Sequence, residues 1–595
     1  MRLLNSRLTL RWTADFFKRF GAIAALFVMV GGIAGCGGEP AVTSNAGVVS
    51  QDADAEGSGA GAPVEAPEAP SERLGAGRHN LQVAMPDGVK LATDVYLPAG
   101  QEPACTVLTR TPYSRDEGAA FGALFTSQGI AFVIQSTRGR DGSEGTDMVF
   151  GDDGWGEHQD GFHTVEWIKE QSWSNGVVGT FGMSALGIST ELLAPLCPDL
   201  SCQVIWVAPS RFYGQLSYQG GVWRKNLCEE WISEQGSSHV IEEWKSHPSD
   251  DSFWSLYDLE KRAPDINAPT LHVGGWWDIF AQGTIDSFTS RQNRGGERAR
   301  GSQVLIMGPW GHAPTKKFGD VELPDNFMDA DLNGTSLRFL KHWLLGGQSQ
   351  PWTEAVVRYY TLGDFSDPNA PGKEWRTAQN WPPFETRDET LFLHKDRSLS
   401  AESPVASDDA LEYDFDPKNP CPTHGGQNLI LPAGPFDQSE LGKRPDVLRF
   451  ATAPLEASTE VTGRVRLRLF VSSDAPDTDF TAKLVDIYPD GKEILLLDNI
   501  QRVKFRSGFE QPQPLAPGEV GELTVDLWSI SMIFNAGHRI GVHVSSSNFP
   551  RFEINPNTGA DFPPELPQEM RVAHNKVHMS AAYPSALILP VPAEQ

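Results

Sequence analysis

Polar and apolar positions divide the chain into blocks of different period. From His79 to Pro98, two alternating stretches flank Pro86-Asp87-Gly88, which reads as a hairpin of two strands around a turn. Val107-Leu108 and Ile130–Ile134 are short continuous apolar runs, the pattern of strands buried on both faces. Residues 116–128 between them suit a helix. In Asp160–Ile168 a helical spacing puts Phe162, Val165 and Ile168 on one side, and Val177–Phe181 reads as the next strand. Strands alternating with helices predict a largely parallel sheet with right-handed crossovers. Across 210–262 the strand runs stop, and Trp223, Trp231, Trp244 and Trp254 appear among charged residues, so a mostly helical insertion is expected. Strand patterns resume at Pro269–Val273 and Ser302–Met307, and Leu337–Leu345 is an amphipathic helix. Beyond 370 the pattern is that of strands separated by Gly and Pro turns, with Val465–Phe470, Thr481–Ile487, Gly521–Leu527 and Arg539–Val544 as the clearest.

The predicted organisation is an α/β core over 78–209 and 263–370, a helical cap over 210–262, and an all-β sandwich over 371–595. The N-terminus has a different character. Arg2, Arg7, Arg11, Lys18 and Arg19 precede an apolar stretch from Gly21 to Gly35 that is short for a membrane span. Ile33-Ala34-Gly35-Cys36 looks like a bacterial lipobox, so residues 1–36 are expected to be a lipoprotein signal with Cys36 as the lipidation site. Residues 37–77 are rich in Gly, Ala, Pro and acids without an aromatic, and read as a flexible linker. The expected location is the bacterial cell envelope, at the outer membrane or its periplasmic face, with the membrane as a partner through the lipid anchor.

Composition narrows the partners. With 39% hydrophobic and 21% charged residues the chain is globular. A formal net charge of -28 argues against nucleic acid, whose phosphates require an excess of Lys and Arg. The cysteines other than Cys36 form no Cys-x-x-Cys set, and no phosphate loop, dinucleotide fingerprint or metal-ligand cluster is present, so neither a cofactor nor a metal is expected. Cys197 and Cys202 are near enough in sequence to pair, or to remain free thiols.

Three short motifs carry the chemistry, each directly after an apolar strand. Gly182-Met183-Ser184-Ala185-Leu186-Gly187 lies between a strand and a helix, the setting of a nucleophile elbow, although its spacing is Gly-x-Ser-x-x-Gly. Gly274-Gly275-Trp276-Trp277-Asp278 places a carboxylate at a strand end. Gly308-Pro309-Trp310-Gly311-His312 places an imidazole in a Gly/Pro loop, where it has the reach of a general base. The order Ser, Asp, His on one sheet is that of α/β-hydrolases, and a triad of Ser184, Asp278 and His312 is expected. Trp276, Trp277 and Phe280 are candidate pocket lining.

The chain resembles the cocaine-esterase and X-Pro dipeptidyl-peptidase family of serine hydrolases, which also holds glutaryl-cephalosporin acylases and α-amino-acid ester hydrolases. The resemblance rests on Met85–Tyr96, Arg110-Thr-Pro-Tyr113, Arg138-Gly-Arg140 with Ser143-Glu-Gly145, and the three motifs above. In the C-terminal part it rests on Gly434–Gln438, Arg444–Val447, Asp477–Phe480 and Ser545–Pro550. It implies an α/β-hydrolase core with inserted helical cap and a C-terminal jelly roll. It also implies an oxyanion hole formed by the Tyr113 phenol and the Ala185 N–H. The family elbow usually has Tyr after the Ser, where this chain has Ala185, so the pocket is expected to be reshaped there. The expected activity is hydrolysis of a small-molecule ester or amide, or of a peptide, through an acyl-enzyme. The first alternative is an X-Pro dipeptidyl aminopeptidase, for which Glu229 or Glu230 would have to anchor the peptide amine. The second is a non-catalytic surface protein that binds through the jelly roll.

Overall fold

The computed structural model describes residues 74–100, 103–347 and 355–593. The expected signal segment, Cys36 and all of the expected linker before residue 74 lie outside the described residues.

A 10-stranded sheet organises the first part of the chain. Its strands are β1 Gly77–Ala84, β2 Lys90–Leu97, β3 Ala104–Thr111, β4 Ala131–Ser136 and β5 Ser174–Met183, then β6 Gln203–Trp206, β7 Thr270–Gly275, β8 Val304–Gly308, β9 Val357–Thr361 and β10 Glu374–Ala378. They lie in the order β1-β2-β4-β3-β5-β6-β7-β8-β9-β10. From β4 to β9 every neighbouring pair is parallel, while β1, β2 and β10 are antiparallel to their neighbours. The parallel strands are buried almost along their whole length, which is why they read as continuous apolar runs. Because β10 pairs with β9, this sheet extends past the boundary expected at 370.

Helices cover both faces. Phe125 of helix Ala119–Ser127 packs in one cluster with Phe339, Leu340 and Leu344 of helix Leu332–Leu345. Val165 and Ile168 of helix Asp160–Glu170 pack in another with Val95, Leu108 and Val133 of the strands, and Phe162 sits half-buried at its edge. Cys105, Cys197, Cys202, Cys228 and Cys421 are all buried and free, so Cys197 and Cys202 do not pair.

The cap is built from short helical pieces, in keeping with the expected helical insertion. They are Tyr213–Ser217, the continuous run of Asn226–Trp231 and Ile232–Glu234, His239–Lys245 and Trp254–Tyr257. It also contains a small antiparallel ribbon, Tyr218–Gln219 against Val222–Trp223. Its rigidity comes from aromatic packing: Trp223, Trp244 and Trp254 are fully buried in a cluster with Phe212, Tyr213 and Tyr218.

The C-terminal part is a sandwich of two antiparallel sheets, one of seven strands and one of four. The cap is tied to it by backbone bonds from Arg502 N to Gly220 O (2.9 Å) and Asn226 N to Pro550 O (3.2 Å), and by the Lys225–Glu553 ion pair at 2.8 Å. The fold class is the expected one, an α/β-hydrolase core with inserted cap followed by a β-sandwich.

Candidate active site

Strands β5, β7 and β8 all end at the same edge of the sheet, and each delivers one residue to it. Ser184 follows β5 directly and starts helix Ala185–Leu192. Its backbone sits at φ 56 and ψ -126, a conformation that L-residues rarely adopt. The strain is held from two sides, because Ser184 N donates to Trp206 O at 2.9 Å and Ser184 O accepts from Ile188 N at 2.8 Å. Gly182 makes the sharp turn possible: a Cβ there would stand 2.3 Å from Leu186 O and 2.5 Å from Gly187 N. The second glycine of the motif serves the same contact from the helix side, which accounts for its place at 187.

The loops carrying Asp278 and His312 are stitched together. Trp276 N donates to Gly308 O at 3.0 Å and Trp277 N to Trp310 O at 3.1 Å. Gly275 permits this approach, since a Cβ there would lie 2.3 Å from Trp310 O. The result is a continuous chain: His312 Nδ1 lies 2.6 Å from Asp278 Oδ1, and His312 Nε2 lies 2.8 Å from Ser184 Oγ. The other Asp278 oxygen accepts from Phe280 N at 2.9 Å. Asp278 is fully buried, and Ser184 and His312 are 8% and 9% exposed, so one face of the group remains reachable. With a carboxylate at Nδ1, the imidazole proton belongs on that nitrogen and Nε2 accepts from the Ser184 hydroxyl.

Beside Ser184 lies a narrow apolar pocket. Ala185, Ile188 and Phe280 come from the core, Leu216, Leu227, Cys228, Trp231, Ile232 and Trp244 from the cap, and Leu429 from the C-terminal part. None of its lining residues is charged. Burial pushes the Cys228 thiol up to about 12, and its Sγ donates to Leu216 O, so it acts as a small apolar wall residue.

Of the expected lining residues, Phe280 is in the pocket and its ring meets the His312 ring edge-on at 6.1 Å. Trp276 and Trp277 are not. Both turn into the core shared with the β-sandwich, where Trp276 Nε1 donates to Tyr360 O at 2.7 Å and Trp277 packs on Phe318. The stitching of their backbones to β8 and its loop fixes that direction. The carboxylates considered as amine anchors are also elsewhere. Glu229 is bound by Lys225 at 2.9 Å and Lys245 at 2.6 Å, and Glu230 is exposed.

Tyr113 lies just past the end of β3, the strand beside β5, and is buried in the cluster that contains Ala185. Burial raises its phenol pKa, so the group stays protonated, and Trp231 Nε1 donates to its oxygen at 3.2 Å. Two cap residues with structural roles at the site carry no motif. Trp231 is one. The other is Arg224, fully buried, whose Nη1 donates to Gln215 O at 2.7 Å and Ile279 O at 3.2 Å, tying the cap to the loop of Asp278. Burial lowers its pKa to about 9. Their only trace in the sequence is the density of large side chains in 210–262.

A family model described as X-Pro dipeptidyl-peptidase (S15 family) matches residues 87–239 and 229–314, and one described as X-Pro dipeptidyl-peptidase C-terminal non-catalytic domain matches 351–588. Cocaine esterase of Rhodococcus sp. (strain MB1 Bresler) is 30% identical over 86% of this chain and 98% of its own. The chain belongs to the cocaine-esterase and X-Pro dipeptidyl-peptidase (S15) family. As a member it is a serine hydrolase acting on esters or amides. Two solved structures of similar shape are an aminopeptidase from a marine sediment Thaumarchaeota archaeon and an α-amino acid ester hydrolase. The first has a TM-score of 0.75 at 25% identity, covering 89% of this chain and 99% of that one. The second has 0.72 at 25% identity, covering 86% and 96%.

Proposed function

We propose that the chain is a carboxylic ester hydrolase for substrates with an apolar acyl group, working through Ser184, His312 and Asp278. Ser184 Oγ attacks the ester carbonyl as His312 Nε2 takes its proton. Asp278 holds the imidazole and stabilises the imidazolium. The charge on the carbonyl oxygen is met by the Ala185 N–H, at the start of a helix whose first N–H groups have no intrahelical partner, and by the Tyr113 phenol. His312 gives its proton to the leaving alcohol, and the acyl–Ser184 ester remains. A water attacks that ester with His312 again as base, which releases the acid and restores Ser184.

The observation that favours an apolar acyl group is the uncharged wall of the pocket beside Ser184. An X-Pro dipeptide brings an ammonium into the acyl site, and an unpaired cation buried there is strongly disfavoured. Hydrolysis of p-nitrophenyl butyrate and benzoate, compared with Ala-Pro-p-nitroanilide, tests the reading. We expect kcat/KM to favour the acyl esters by about 100-fold or more. Preference for the anilide overturns it in favour of the aminopeptidase.

We also propose that the chain is exported and lipid-anchored at Cys36. The support is the run of basic residues, the short apolar stretch and Ile33-Ala34-Gly35-Cys36. Metabolic labelling with an alkyne fatty acid in a bacterial host should mark the wild type and not Cys36→Ala. Equal labelling of both rejects Cys36 as the site.

A further inference from the structure

We propose that Trp231 is a positioning residue for the oxyanion hole, its indole N–H orienting and polarising the Tyr113 phenol from the cap. The proposal rests on the reading of Tyr113 as an oxyanion donor and goes beyond it by assigning what makes that phenol effective.

An indole N–H is a donor only, so in the 3.2 Å contact the Tyr113 oxygen accepts. A phenol O–H prefers the plane of its ring, which leaves it two main orientations. A donor seated on one side of the oxygen excludes the proton from that side and directs it to the other. The same bond draws electron density from the oxygen, and the phenol becomes the stronger donor. Burial pushes Tyr113 up and the Trp231 bond pulls it down, so the phenol remains neutral while gaining donor strength.

The placement is specific. Trp231 lines the pocket together with Ser184 and Ala185, so its ring spans the distance from the acyl site to the phenol. Its plane is fixed by Phe150, whose ring stacks on it at 5.8 Å and 9°. Trp231 ends the segment Asn226–Trp231, and Asn226 N is bonded to Pro550 O of the C-terminal part. The oxyanion donor is therefore adjusted by an element outside the catalytic core. A ground-state carbonyl is a weaker acceptor than the tetrahedral oxyanion, so the effect belongs in kcat and not in KM.

The test replaces Trp231 with 3-benzothienylalanine, which keeps the bicyclic shape and puts sulfur in place of N–H. Trp231→Phe serves as a second variant. Both are measured with p-nitrophenyl butyrate in the wild-type and Tyr113→Phe backgrounds. In the wild-type background, kcat should fall about tenfold while KM stays within about twofold. Tyr113→Phe alone should lower kcat by about 100-fold or more, and in that background the Trp231 replacement should change kcat by less than about twofold. An unchanged kcat in the benzothienyl variant overturns the proposal. So does an equal loss in both backgrounds, which would mark Trp231 as a wall residue. If Tyr113→Phe keeps full kcat, the oxyanion reading fails and the proposal with it.

Discussion

Gly182 and Leu186 meet backbone to backbone across the turn that carries Ser184: a Cβ on Gly182 would lie 2.3 Å from the Leu186 carbonyl oxygen. No side chain can give way at that contact, so Gly182→Ala must move the helix start away from the strand end. We predict that this variant loses at least about 100-fold in ester kcat/KM, as displacement of a nucleophile or oxyanion donor does. Gly187→Ala should be milder, because its Cβ would meet Gly182 O and Trp206 O at 3.2 Å. Equal activities of the two variants, measured with circular dichroism to confirm folding, would contradict this account of the elbow.

Asp278 accepts from both His312 Nδ1 and Phe280 N, and is fully buried. Asp278→Asn keeps the volume and removes the charge that fixes the tautomer. We expect kcat to fall by about 10^4-fold with little change in Tm. Kinetics beside a thermal melt of the same preparation checks both parts, and retention of kcat within tenfold would be incompatible with the role given to Asp278.

Ala185 is a pocket wall, and its N–H is the backbone donor proposed for the oxyanion. Ala185→Tyr leaves the N–H and fills the pocket. The ratio of kcat/KM for p-nitrophenyl benzoate over acetate should drop about tenfold or more, with the acetate least affected. A uniform loss on both esters would mean that the ring disturbs the elbow rather than the acyl site.

Asp286 is set among Gln215 and Gln282, which donate to it at 3.1 and 2.8 Å, with Arg464 at 3.7 Å. Burial pushes its pKa up to about 7, Arg464 opposes the shift, and the nearby Glu260 adds to it. A carboxyl whose pKa is raised in the fold binds its proton more tightly folded than unfolded. Its contribution to stability is therefore full below the unfolded value near 4 and is lost as pH rises through about 7. Asp286→Asn imitates the protonated form. Urea melts at pH 5 and 8.5 should show a smaller loss of stability with rising pH in the variant than in the wild type. The same slope in both would remove Asp286 as a source of the dependence.

What the sequence revealed followed from how local each signal was. The strands ahead of Ser184, Asp278 and His312 are buried on both faces, so they stand out as apolar runs, and the Gly-rich turns after them mark the sheet edge. The jelly-roll strands were legible for similar reasons. Trp276 and Trp277 read as pocket lining but face the core, because a tryptophan next to a site residue looks the same in sequence whichever way it points. The Trp231–Tyr113 bond joins residues 118 positions apart and belongs to no local pattern. The cap is recognisable by its texture, but helical pieces of one or two turns and a ribbon of two-residue strands are too short to impose a clear period. The last strand of the main sheet, Glu374–Ala378, lies past the boundary expected at 370, because a five-residue, half-exposed edge strand carries no apolar run that marks it.

The central claim is that Ser184 is the nucleophile of an acyl-transfer site. Labelling with a fluorophosphonate, followed by intact-mass and peptide mapping, tests it most directly. We predict one phosphonyl group per chain on Ser184 in the wild type, with loss of ester turnover in step with labelling, and no label on folded Ser184→Ala. A folded wild type that takes no label, or a Ser184→Ala variant that labels and turns over as the wild type does, would contradict it.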